Sequence, residues 1–229
     1  MGHDRWRDEL HLARQDAGQL AHLLRRGVPT DGLQLAGSAV LAVTPSEALA
    51  DVVDELVGSL RARDWLGDVE LAAALTNRAA GLPSALTPLA VQLDELAEAV
   101  DASGGAASYL DTETGMVWPS ELIDLGQGPE DVSVDELIAD DSGRWLPVVG
   151  QGSHRAYADM ERFIAAVEPA ALANELREAI NEKKPFKAFL SVLERHEAQF
   201  TSWHRHRDDA QLGRARHWLA DHGYEPTRP

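Results

Sequence analysis

The sequence predicts an α+β protein, mostly helical, in which a small antiparallel sheet packs with helices behind an all-helical N-terminal region. Three observations carry that reading. Ser108-Tyr-Leu-Asp-Thr-Glu-Thr-Gly-Met-Val-Trp118 reads as strand, tight turn, strand, with Gly115 where the turn needs a positive φ. Arg144-Trp-Leu-Pro-Val-Val149 supplies a third strand, so the expected sheet is a hairpin over 107–119 plus a strand over 144–149. Elsewhere apolar residues recur every three or four positions, as in amphipathic helices.

In chain order, Trp6, Leu10, Ala13, Ala17, Leu20 and Leu24 share one face and predict a single helix from Asp4 to Arg26. Gly27 and Pro29 stop it. Leu33 to Val43 fits a buried strand or a short buried helix; the lack of alternation favours helix. Thr44-Pro45-Ser46-Glu47 predicts a capped helix start. That helix buries Leu49, Val52, Val53, Leu56, Val57 and Leu60, and Asp68 caps a shorter one with Leu71 and Leu75. Residues 1–80 therefore form a helical region, and Gly81-Leu-Pro-Ser84 is the expected boundary to a second unit over 85–229. There, Thr87-Pro88 is expected to begin a helix carrying Leu89, Leu93, Leu96 and Val100. After the strands, Ser153 opens a helix with Tyr157, Met160, Phe163 and Ile164 inward, and Pro169 opens another. A short helix with Phe186 and Phe189 follows, then a long one from about Glu197 to Asp221.

The chain's 229 residues are long enough to bury a core without staples. With no cysteine, disulfides, thiolate metal sites and cysteine nucleophiles are excluded. The first ten residues are charged and unlike a signal peptide, and the longest uncharged apolar segment, 33–43, is far short of the roughly 20 residues a membrane span needs. A soluble, cytoplasmic protein with no membrane partner is expected. Eighteen arginines against three lysines, with abundant alanine, point to a GC-rich bacterial genome. The net charge of −17 is uneven: 79–143 holds no Lys, Arg or His, while 14 acids fall between Asp94 and Asp141. So acidic a chain repels phosphate backbones, which argues against nucleic acid as a partner. The acidic middle is either a solvated surface or a dock for a basic protein partner or the chain's own basic C-terminal helices.

Tyr109-Leu-Asp-x-x-Thr-Gly115, Tyr157-x-x-Met160-Glu161-x-Phe163-Ile164, Phe186-x-x-Phe189, Trp203 with Arg207-Asp208, and Trp218-Leu219 occur in order over roughly residues 86 to 224. This set resembles the bacterial uncharacterised protein family 0158. The resemblance implies a small antiparallel sheet wrapped by helices and brings no activity with it. Met116 stands where the family usually has an acid, His204 and His206 replace aromatics, and Lys183-Lys184-Pro185 replaces a glycine-rich link.

Few residues suggest chemistry. His196-Glu197-x-x-Phe200 lacks the second histidine of a zinc helix. His204 and His206 lie about 200° apart on a helix and cannot converge. His206 with Asp209 and His217 with Asp221 supply two ligands each, so no metal and no cofactor is expected. The Gly150-Gln-Gly152-Ser153-His154-Arg155 loop follows a strand and opens a helix, a place where free N–H groups hold anions; a plain loop with a serine cap is the reading favoured over an anion site. Asp111 and Glu113 flank the hairpin turn, where an aspartate ordinarily satisfies backbone donors. Arg207 lies about 20° from Phe200 and 40° from Trp203 on the helical wheel. A charge in that stripe needs a partner, and Glu161, at the border of the other apolar helix, is the expected one. The candidate ligand residues are therefore Gly150, Gly152, Ser153, Arg155, Glu161, Trp203 and Arg207.

No catalytic set is complete. The expected function is a non-enzymatic regulatory or protein-interaction module; the alternative is a small-molecule or anion binder built on Arg207, Glu161 and the Gly150–Arg155 loop.

Overall fold

The computed structural model describes residues 4–103, 107–129, 132–140, 142–150 and 152–227, together with the backbone but not the side chain of Ser153. Helices hold 64% of the residues, which makes the fold mostly helical as expected.

The N-terminal region consists of α1 (Arg5–Ala13), α2 (Ala17–Arg25), α3 (Leu33–Ala42), α4 (Ala50–Arg63) and α5 (Asp68–Ala80). The single helix expected over 4–26 is two. Asp16 takes the Gln19 N–H at 2.8 Å and starts α2 afresh, so a capping side chain interrupts a stripe that is apolar on both sides of it. The segment at 33–42 is helix. The cap before α4 is Ser46 rather than Thr44, and a 3-10 turn at Glu47–Leu49 leads in. Leu20, Leu24, Leu33, Val40, Leu56, Leu60, Leu71 and Leu75 form this region's core, and every member of that cluster falls between residues 10 and 75.

Thr87–Leu89 is not the start of a helix but a strand, β1. It pairs in parallel with β5 (Tyr224–Pro226): Thr87 donates its N–H to Gly223 and Thr227 donates to Leu89, both at 2.8 Å. A partner more than 130 residues away leaves no trace in local periodicity. The helix follows later as α6 (Leu93–Asp101).

The sheet has the expected members. β2 (Ala107–Asp111) lies between β3 (Val117–Pro119) and β4 (Trp145–Val149), all antiparallel, with Tyr109 opposite Trp118 and Leu110 opposite Leu146. Within the acidic connection two short helices form, α7 (Ser120–Asp124) and α8 (Val134–Ile138). They place Ile123 and Leu137 against Tyr109 and Trp145.

Four helices complete the chain: α9 (Gly152–Ala166), α10 (Ala170–Ile180), α11 (Pro185–Leu193) and α12 (Glu197–Asp221). Met160, Phe163, Leu176, Phe189, Leu193 and Trp203 form their core, while Ala215 and Leu219 of α12 join Leu96, Leu110 and Val148 over the sheet. The 25-residue α12 thus spans both C-terminal cores, and its other side lies against α3 and α5 of the N-terminal bundle. Backbones meet there: a Cβ on Gly213 would stand 2.2 Å from the Leu66 carbonyl oxygen, so only glycine fits.

Candidate functional site

A groove of about 180 Å³ opens between α9, α11 and α12, with the last residue of α6, Asp101, at one end. Its apolar walls come from Met160, Phe189 and Trp203, which are buried, and from Phe186 and Leu190, which are exposed. Trp203, Arg207 and Gln211 recur every four residues and therefore face the groove together along α12. His204, also on the wall, has its pKa lowered by burial and by Arg207 nearby.

At the α6 end, Arg214, only 5% exposed, takes both Asp101 and Asp159: Nε donates to Asp101 at 2.7 Å and Nη1 to Asp159 Oδ1 at 3.2 Å. Asp159 is 1% exposed, and its Oδ2 lies 3.0 Å from Arg214 but without a hydrogen bond. Burial raises the Asp159 pKa, against the pull of Arg214 and Arg162. Arg162 reaches Oδ1 at 3.2 Å from a half-exposed position. About two turns before Arg214 on α12, Arg207 gives Nε and Nη2 to Asp208 Oδ1, while Arg7 takes Asp208 Oδ2.

Of the residues singled out in the sequence, the groove unites Trp203 and Arg207. The Glu161–Arg207 contact does not form: Arg207 takes Asp208 and Glu161 is exposed. The α9–α12 charge pair that does form is Asp159–Arg214. Asp159 was legible, since it stands four residues before Phe163 on the apolar stripe of α9; a carboxylate there needs a partner as much as Arg207 did. Gly150 and Gly152 pack against the end of α6. A Cβ at Gly150 would lie 2.2 Å from the Ala102 carbonyl oxygen and one at Gly152 2.1 Å from that of Asp101. Gly152 also donates its N–H to Ala102 at 3.2 Å, so that donor is taken. Arg155 is half-buried, and the Ser153 side chain lies outside the described residues. Asp111 accepts from the Glu113 N–H, the Thr114 hydroxyl and both arms of Arg144, as a turn-fastening aspartate does.

A second polar cluster, which single-helix reasoning missed, joins α12 to the bundle. Asp209 is fully buried and accepts from Arg63 Nη1 at 2.6 Å and from the N–H groups of Gln34 and Leu35 at 2.8 and 3.1 Å. Arg63 holds Asp68 with its other edge. Burial pushes the Asp209 pKa up against these contacts. Arg205 pairs with Asp31 and Asp4, and Arg216, also buried, bonds neutral partners among the described residues, Gln34 at 3.1 Å and Ser38 at 2.8 Å. His206 packs among Trp65, Phe163 and Trp203, and burial lowers its pKa to about 4. His217 lies 2.7 Å from Glu70 and 3.5 Å from Asp221. Among the described residues no group of three or more His, Asp or Glu could hold a metal ion.

The acidic segment forms its own surface. Among the described residues of 94–140, salt bridges reach only Asp101, through Arg214, and Asp111 and Glu113, through Arg144. Glu121, Asp124 and Asp135 are exposed, and so are Leu122 and Ile138 on the same short helices and Leu125, the residue that ends α7, the last two 69% each.

Fold and sites together define a class: helices around a three-stranded antiparallel sheet, joined to a helical bundle across one long shared helix. The chain belongs to the Uncharacterised protein family (UPF0158), whose model matches residues 86–228. A relative, the UPF0158 protein PA5073 of Pseudomonas aeruginosa, is 28% identical over 142 residues, which cover 62% of this chain and 89% of that protein. No solved structure matches. The bundle before residue 86 lies outside the family match. No helix among the described residues is long and apolar enough to cross a membrane.

Proposed function

We propose that this chain is a non-enzymatic protein-interaction module that docks a basic, amphipathic segment of a partner protein on α7 and α8, with the cytoplasm as its compartment. The observation behind this reading is the pairing of exposed Leu122, Leu125 and Ile138 with carboxylates that have no salt-bridge partner among the described residues. Contiguous exposed apolar side chains rimmed by polar residues mark interaction surfaces, and α7 lies against α8, which ends at Ile138. Uncompensated acids around them select a cationic partner and speed its encounter. The loop at Gly150–Arg155 supports an anion reading less, because the Gly152 N–H is committed to Ala102.

The test uses a labelled peptide alternating leucine and lysine, with leucine–glutamate and serine–lysine peptides as controls. Saturable one-to-one binding of the first alone is expected, weakened about tenfold or more by Leu125→Ser with Ile138→Ser. Equal binding of the serine–lysine peptide, untouched by those substitutions, would mean plain charge attraction and contradict the proposal.

A further inference from the structure

All three lysines of the chain, Lys183, Lys184 and Lys187, fall within five residues. Lys184 caps α11 and Lys187 lies in its first turn, and the stretch 182–191 sets one acid against them, Glu182. All three are exposed, and none has a salt-bridge partner among the described residues. α11 buries Phe189, Val192 and Leu193 and leaves Phe186 and Leu190 40% and 36% exposed. Phe186 and Leu190 are four residues apart, and Lys187 stands three before Leu190, so apolar and cationic side chains share one face. α11 is thus a basic, amphipathic segment of the kind α7 and α8 call for, carried by the chain itself. Within one copy the match is unused. α11 packs on α10 and α12, and α7 on β2, β3 and α8. No salt bridge joins a lysine to a carboxylate of either short helix among the described residues.

We infer that α7 and α8 of one copy of this chain dock on α11 of a second copy, an inference that rests on the reading of α7 and α8 as a docking surface and names its partner. Glu121, Asp124 and Asp135 supply the charge opposite to that of Lys183, Lys184 and Lys187. The apolar parts match as well. Phe186 and Leu190 border the groove of about 180 Å³, and a cavity of about 150 Å³ holds one benzene, so the groove has room for one aliphatic side chain. Leu125, 69% exposed at the end of α7, supplies one. Each copy carries a net charge of −17. At about 0.15 M salt, charges more than roughly 8 Å apart are largely screened, so the opposed charges at the contact outweigh the like charges elsewhere. α11 offers nine residues and α7 and α8 five each, which puts the contact at the small, weak end of protein interfaces.

Sedimentation equilibrium of the full chain at about 0.15 M salt tests this. The mass should be that of one chain at about 1 μM and rise toward two or more chains between about 20 and 300 μM, as a weak contact requires. Two charge-reversed variants at exposed positions sharpen the test: Lys183→Glu with Lys187→Glu, and Glu121→Lys with Asp124→Lys. Each alone brings like charges together and should weaken self-association at least about tenfold. Mixed one to one, they face each other with opposite charges again and should associate as wild type does, which a variant that had merely lost its fold could not do. Leu125→Ser should also weaken association about tenfold, and excess leucine–lysine peptide should dissociate the wild type by occupying α7 and α8. The inference is overturned by a chain that stays monomeric to about 300 μM, by charge-reversed or Leu125→Ser variants that associate as wild type does, or by a mixture that stays apart. Peptide binding to a chain that remains monomeric overturns this inference alone. Failure of both the peptide and self-association overturns the reading of α7 and α8 with it.

Discussion

The two sides of α12 do the same job by opposite means. Toward the family domain the helix contributes Trp203, Ala215 and Leu219, which disappear into apolar cores with α9, α11, α6 and the sheet. Toward the bundle it contributes Ser202, Arg205, Asp209 and Arg216, and each finds a polar partner: Asp31, Arg63, Gln34 and Ser38. Among the described residues, no α12 side chain belongs to the bundle's apolar cluster. An apolar face binds strongly and tolerates small shifts of register. A seam of buried charges adds little net stability, because desolvation offsets most of the attraction, but it penalises every arrangement that leaves a charge unpaired. The difference teaches where each part gets its fixity: the family domain mainly from packing, to which Arg214 adds its pairs with Asp101 and Asp159, and the bundle's placement from matched charges.

The largest expected effect comes from cutting the seam at its centre. Arg63→Met strands Asp68 and Asp209 in the interior and should cost about 3–5 kcal/mol in urea unfolding. Replacing Arg63, Asp68 and Asp209 together with apolar residues should recover part of that loss, since no charge of this triad is left unpaired while the Gln34, Leu35 and Trp65 N–H groups lose their acceptors. On the other side, Leu219→Ala should cost about 2–5 kcal/mol by the cavity it leaves, and no second substitution on the seam should rescue it.

His206 sits where the two sides meet. Its folded pKa, about 4, is below the ordinary value of 6.5, because burial and the nearby Arg162 disfavour its charge. The unfolded chain therefore binds more protons between those values, and this residue's contribution is present above pH 6.5 and is lost as pH falls toward 4. The raised pKa of Asp209 acts the other way as pH falls, so the difference from His206→Phe isolates the histidine. Wild type should lose about 2–3 kcal/mol more than that variant between pH 7 and 4; parallel curves would place the imidazole in water. The smallest effects belong to Arg207→Ala and Glu161→Gln. Each should cost under about 1 kcal/mol, because one is half-exposed beside Asp208 and the other exposed.

What the sequence made legible follows the same division. Apolar packing repeats locally, so the strands at 107–111, 117–119 and 145–149 and the span of α12 could be read from spacing. Charge matching does not repeat: Asp209 meets Arg63 across 146 residues, and no pattern around either announces the other. The β1–β5 pairing escaped for the same reason, and α7 and α8, at five residues each, are too short for a period to show. Of the candidate site, Trp203 and Arg207 were found because aromatic residues beside a cation stand out on one helix. The carboxylate opposite was sought at Glu161, at the stripe's edge, when Asp159 lay within it.

The most direct test of the seam is to cut the chain between the units and ask whether they part. Residues 81–83 are exposed, and a protease should nick there first. The β1–β5 pairing lies wholly on the C-terminal side of that cut, so the contacts left to hold the bundle are those across α12, with Arg162 of α9 over the Trp65 ring beside them. Sedimentation of the nicked protein at neutral pH should show one particle of intact mass for wild type and two smaller species for Arg63→Met. Separation of the wild-type fragments, or an Arg63→Met protein that stays whole after nicking, would contradict the account.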